Sequence, residues 1–129
     1  MEHKHLLVNA TFKSSPFQSV SFTESWIRSI VSKIDMELLY QPIAVRCNDA
    51  HNEGISAFCL ITTSHIALHS WDEVEPNLVQ LDIYSCKNFS RNLILDEFEK
   101  FSPLHLGCKY LDRSIKNTKG WQMGSDNIL

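Results

Sequence analysis

A chain of 129 residues, 43% of them hydrophobic, has the size and apolar content of a single domain (1–129) with one core, since domains cluster near about 100 to 150 residues. Its net charge of −3, with both signs mixed along the chain, offers no basic stripe to a phosphate backbone and makes nucleic acid a poor partner. No run approaches the ~18 consecutive apolar residues of a membrane span, and the polar start MEHKHLLVNATFK does not read as a secretory leader, so no membrane and a cytoplasmic location are expected.

The first element is a strand over His3 to Phe12, rich in Leu, Val and Phe. SSPFQS then makes a turn. Ser21 with Glu24 three residues later reads as a capping box, and Trp26, Ile27, Ile30, Val31, Ile34 and Leu38 recur at helical spacing. A short strand, Ile43 to Cys47, follows Pro42 and is broken by the polar NDAHNEG. Three strands come next: Ile55 to Thr62, His65 to Trp71, and, after DEVEPN, Leu78 to Cys86. Ser90 caps a second helix over Arg91 to Phe101, whose apolar face is carried by Leu93, Ile94, Phe98 and Phe101, with Glu97 among them. Pro103 ends it, Leu104 to Leu111 gives a last strand, and the tail after Asp112 lacks hydrophobic period and is expected to be loosely held. Helices that bracket a run of strands imply an α+β fold: a two-layer α/β sandwich with a mostly antiparallel sheet and two helices on one face.

The four cysteines, Cys47, Cys59, Cys86 and Cys108, form no C-x-x-C pair, so reduced thiols rather than a zinc ribbon are expected. His65 and His69 stand four apart, but no third ligand is placed near them, and no metal is expected.

The chemistry gathers between Gly54 and Cys86. Four blocks stand there in order: Gly54-Ile55-Ser56; Ser64-His65; His69-Ser70-Trp71-Asp72-Glu73; and Asp82-Ile83-Tyr84-Ser85-Cys86. In this order and near-spacing they resemble the small pyruvoyl-dependent S-adenosylmethionine decarboxylases, and KHLLVN resembles that family's first strand. The resemblance runs to about residue 112. Thr63 stands where close relatives of the small type carry glutamate, and no aromatic occupies the place near Ala50 where the family stacks a ring on adenine.

The resemblance implies a self-cleaving enzyme. Ser64 attacks the carbonyl of Thr63, the chain is cut between 63 and 64, and Ser64 becomes a covalent pyruvoyl cofactor that serves as electron sink during decarboxylation. By the same resemblance His69 is the base for the serine α-proton, Ser56 steadies the tetrahedral intermediate, and Cys86 assists processing and later donates a proton. Glu73 is the implied ligand of the ribose hydroxyls, with Trp71 and His65 lining the substrate site. The implied substrate is S-adenosylmethionine, the product the aminopropyl donor for spermidine, and the assembly a homodimer joined by sheet-on-sheet contact.

Strand parity adds an expectation of its own, because residues two apart point to one face. His65, His69, Trp71 and Glu73 share parity, as do Asp82, Tyr84 and Cys86, so His69 and Glu73 are expected to face one pocket with Cys86 approaching from a neighbouring strand. Two other readings stay open: an uncleaved relative that binds a ligand or regulates a partner, and a pyruvoyl decarboxylase of arginine or ornithine.

Overall fold

The computed structural model describes residues 2–114 and 122–128. Its elements run β1 (Lys4–Phe12), α1 (Val20–Lys33), β2 (Leu38–Cys47), β3 (Gly54–Ile61), β4 (Ser64–Trp71), β5 (Asn77–Ser85), α2 (Arg91–Glu99), β6 (His105–Asp112) and β7 (Gln122–Asn127). The seven strands form one sheet in the order β2-β3-β4-β5-β1-β6-β7, with every neighbouring pair antiparallel.

Alternation along the strands decides which face is covered. Leu6, Val8, Ala10 and Phe12 of β1, Ile66 and Leu68 of β4, and Val79, Leu81 and Ile83 of β5 are buried, while their odd or even neighbours are at least partly open. The buried set meets Thr23, Trp26, Ile27, Ile30 and Val31 of α1 and Ile94, Leu95 and Phe98 of α2. Trp26 packs edge-on against both Phe98, at 5.5 Å, and Phe17, at 4.8 Å, so the two helices share one side of the sheet. Each such side chain taken out of water contributes roughly 1.5 to 3 kcal/mol, which makes this layer the main source of cohesion. Among the described residues the other face carries no covering layer: Ile43, Val45, Phe58 and Leu60 stand exposed on β2 and β3.

Several boundaries differ from the sequence expectation. Ser19, not Ser21, caps α1: its side chain accepts from the Phe22 amide at 3.2 Å, while Glu24 turns away to accept from the Ala44 amide of β2. Leu38 is not helical. The helix stops at Lys33 because Asp35 adopts a φ of +59°, and Leu38 opens β2. That strand runs through Pro42, which an edge strand tolerates at an irregular register since no inward amide is needed there. The tail after Asp112 contains β7, hydrogen-bonded along β6 from Asp112 to Gly107, although QMGSDN has little apolar pattern. Backbone pairing with β6 holds it, joined by the Arg91–Asp126 ion pair at 3.1 Å; residues 115–121 of the tail lie outside the described residues.

Candidate active site

The β3–β4 hairpin turns on Thr62 and Thr63, so the expected scissile bond, Thr63–Ser64, lies where a tight turn meets a strand. Ser64 has a φ of +150°, a region that residues with side chains rarely occupy and that costs about 1 to 3 kcal/mol to hold. Both flanks hold it there: Ser64 pairs with Ile61 on β3 and Ser85 on β5. The Thr63 carbonyl oxygen accepts a hydrogen bond from the backbone amide of Cys86 at 2.9 Å, the Thr62 amide donates to the Glu37 carbonyl at 2.9 Å, and the Thr63 hydroxyl meets the Met36 sulfur at 3.1 Å. Buried Ser85 donates to the Lys87 carbonyl at 2.7 Å and accepts from the Lys87 amide, which fixes the chain as it leaves β5 toward Cys86 and beyond.

Along the open face beside this junction runs a row of rings. His65 lies 5.8 Å from Tyr84 and 6.4 Å from His5, and the Tyr84 hydroxyl meets His3 Nδ1 at 2.8 Å. Burial lowers the His5 pKa, which Asp82 opposes and His65 and Arg113 reinforce. Past Ser85 the register continues to Lys4, which borders a cavity of about 220 Å³ lined also by Asn88, Phe89, Arg91 and Tyr110.

The far end of β4 carries the second group. Ser56 Oγ and His69 Nδ1 lie 3.0 Å apart across the β3–β4 pair. Trp71 stands 5.9 Å from His69, and its indole N–H donates to Asn52 Oδ1 at 2.8 Å. Gly54 pairs with Trp71 here, and only glycine fits, because an added Cβ would land on the Ser70 carbonyl oxygen. Glu73 follows in the β4–β5 loop with its carboxylate largely in water, 4.0 Å from the Arg46 guanidinium.

Parity therefore succeeds for His65, His69 and Trp71, which share the open face, and fails for Cys86. The thiol residue sits beyond the Ser85 end of β5, next to Thr63, whereas His69 pairs with Gln80 near the middle of that strand. Five residues of strand separate Ser64 from His69, about 16 Å at ~3.3 Å per residue. One chain thus brings together Thr63, Ser64 and Cys86 at one end of β4, and Ser56, His69, Trp71 and Glu73 toward the other. It does not bring the two groups to each other.

Sequence reasoning missed Arg46, Asn52 and the Cys86 amide. Arg46 and Asn52 belong to no motif block, and a main-chain donor leaves no trace in residue type. Of the other thiols, Cys59 is pushed up to about 11 and Cys108 upward by burial, which suits inert core residues. Among the described residues no cluster of three His, Cys, Asp or Glu side chains is arranged for a metal ion, and no helix is long and apolar enough to cross a membrane.

Known proteins resemble this chain in sequence. An S-adenosylmethionine decarboxylase proenzyme of Archaeoglobus fulgidus is 29% identical over 87 residues, 64% of this chain and 76% of that protein. One from Pyrobaculum arsenaticum is 32% identical over 66 residues, 50% of this chain and 51% of its own length. An arginine decarboxylase proenzyme of the same organism is 30% identical over 73 residues, 55% of this chain and 53% of that protein. A family model described as S-adenosylmethionine decarboxylase matches residues 4–114, both ends of β4 included. With that span covering most of its 129 residues, the chain belongs to the S-adenosylmethionine decarboxylase family, and decarboxylation is its class of reaction.

Proposed function

We propose that this chain cuts itself between Thr63 and Ser64 and then decarboxylates S-adenosylmethionine, in a homodimer whose two active sites each draw on both copies. The observation that carries the reading is the Thr63–Ser64 junction, where a non-glycine residue at φ +150° follows a carbonyl already hydrogen-bonded by the Cys86 amide. Strain raises the energy of the peptide to be broken, and an amide aimed at its oxygen steadies the charge that develops there on attack. Ser64 Oγ adds to the Thr63 carbonyl carbon and the Ser64 nitrogen leaves, giving an ester. Loss of the Ser64 α-proton expels the Thr63 carboxylate, and water then replaces ammonia at the residue left behind to give the ketone.

The junction fits the resulting pyruvoyl group, since Ser64 becomes the first residue of β4 and keeps its place between β3 and β5. The group supplies an electron sink when carbon dioxide departs. Cys86, beside it, is suited to return a proton to the product. A base for the α-proton is needed as well. His69, oriented by Ser56, is suited to that work but lies about 16 Å down the strand. A second copy related by a two-fold axis that runs across the strands would resolve this, because such an axis sets each end of one β4 against the opposite end of the other and repeats every contact twice. The partner subunit's Ser56, His69, Trp71 and Glu73 would then complete the site begun by Ser64 and Cys86. The uncovered sheet face, with Val45 and Phe58 exposed, supports sheet-on-sheet contact.

For the substrate, Glu73 offers an exposed carboxylate suited to a ribose diol, and two of the three relatives above are named for S-adenosylmethionine. The aminopropyl donor for spermidine synthesis would be the product. The relative named for arginine keeps a basic amino acid as the second reading. Free thiols at all four cysteines favour a reducing, cytoplasmic setting.

Co-expression tests the shared site. Ser64→Ala and His69→Ala chains each stay whole alone, but together they form mixed dimers with one complete site, so the His69→Ala chain is cut and carbon dioxide is released from S-adenosylmethionine. If the wild type cleaves and the mixture does not, both groups serve within one chain and the dimer reading fails.

A further inference from the structure

At the Glu73 end of the sheet, an arginine outside every motif block reaches across two strands. Arg46 is on edge strand β2, in register with Ile55 of β3 and through it with Ser70 of β4. Its guanidinium forks onto both carboxylate oxygens of Asp72, at 2.7 and 2.8 Å. The Asp72 side chain is only 4% exposed, so this pair is worth more than an ordinary surface bridge, and breaking it would strand a carboxylate out of water. The guanidinium also lies 4.0 Å from Glu73, whose side chain is 63% exposed, and within the field of Glu53. Asp72 occupies the fork, which leaves the Glu73 oxygens open to solvent beside a fixed positive charge.

That arrangement treats two kinds of ligand differently. Uncharged hydroxyls donate to Glu73 with no quarrel with Arg46. An ammonium or guanidinium brought to the same carboxylate would be drawn by Glu73, Asp72 and Glu53 together, and the Arg46 charge, which cannot move aside without abandoning Asp72, offsets part of that pull. We propose that Arg46 is a specificity-determining residue of this site: clamped by Asp72 and held beside Glu73, it favours Glu73 as an acceptor for neutral hydroxyl pairs by weakening the pull that this acidic cluster exerts on a cationic side chain. The proposal rests on Glu73 meeting the substrate, as argued above.

The test measures, on the processed enzyme, the KM for S-adenosylmethionine and the inhibition constant of L-arginine against its turnover. In Arg46→Gln the arginine constant should fall about tenfold relative to the KM for S-adenosylmethionine. Arg46→Lys keeps the charge and should keep the wild-type ratio of the two constants. Should Arg46→Gln fail to fold, the pair Arg46→Gln with Asp72→Asn leaves no unpaired buried carboxylate and should show the same shift. Equal loss toward both ligands, in Gln and Lys variants alike, means that Arg46 only braces the loop, and the proposal falls. The Glu73→Gln variant separates the two levels: if its KM for S-adenosylmethionine equals that of the wild type, Glu73 is not in the site, and the reading and this proposal fail together. A wild type that turns over no S-adenosylmethionine has the same consequence.

Discussion

Ser64 and Glu73 are asked to do different jobs, and one substitution separates them. Glu73 lies in a loop nine residues past the expected scissile bond, and its proposed partners are ribose hydroxyls rather than that bond, so Glu73→Gln should leave self-cleavage unchanged. Loss of one charge-assisted hydrogen bond, about 1.5 to 3 kcal/mol, should weaken binding of S-adenosylmethionine tenfold or somewhat more, as calorimetry would measure. Undiminished affinity would remove Glu73 from the site. The four motif blocks brought Ser56, Ser64, His69, Trp71, Glu73 and Cys86 forward as candidates, through the family they resemble. What was not legible is distance. Parity carried no information about position along the strand, and Cys86, just beyond the end of β5, lies at the end away from His69. The positive φ of Ser64 was equally hidden, since serine by itself implies no left-handed backbone.

At the scale of elements, two residues show how the layers are tied. Gly54 begins β3 at a φ of +155° against the Ser70 carbonyl, so Gly54→Ala forces two strands apart at the Trp71 end. Overpacking of this kind costs about 3 kcal/mol or more, and a melting temperature lower by about 10 °C should result. A variant that melts with the wild type would show that the strands give way freely. Glu97, nearly buried on α2, joins Lys100 at 2.8 Å and Lys33 of α1 at 3.0 Å. The hydrogen bond from Lys100, helped by Lys33, lowers its pKa from 4.5 against the opposing effect of burial. A carboxylate lowered in the folded state binds its proton more readily when unfolded, so its contribution is complete above about pH 4.5 and fades as the pH falls through the folded value. The stability gap between wild type and Glu97→Gln, read from urea midpoints, should therefore be widest near neutrality and close at acid pH; a gap independent of pH would assign Glu97 a packing role alone. The elements themselves were mostly readable, α1 and the central strands from their apolar period. Ser21, Leu38 and the tail were misread for related reasons: capping depends on which serine meets the Phe22 amide, helix termination on the backbone of Asp35, and β7 on pairing with β6, and none of these is written in hydrophobicity.

For the whole molecule, the account joins a strained junction, a second copy and a substrate end into one enzyme, and all of it depends on the chain being cut. The intact mass of the purified protein addresses this directly. The account predicts two pieces from the 129 residues, one of 63 ending at Thr63 and one of 66 that carries a keto group in place of an amino terminus, and a single uncut mass for Ser64→Ala. Because the atom to be attacked belongs to the backbone, Thr63 is expected to slow cleavage rather than prevent it, so a partial mixture should move toward the two pieces with time. A wild-type chain that keeps its full mass through long incubation, with no carbon dioxide released from S-adenosylmethionine, would contradict the central claim and leave an uncleaved, ligand-binding relative in its place.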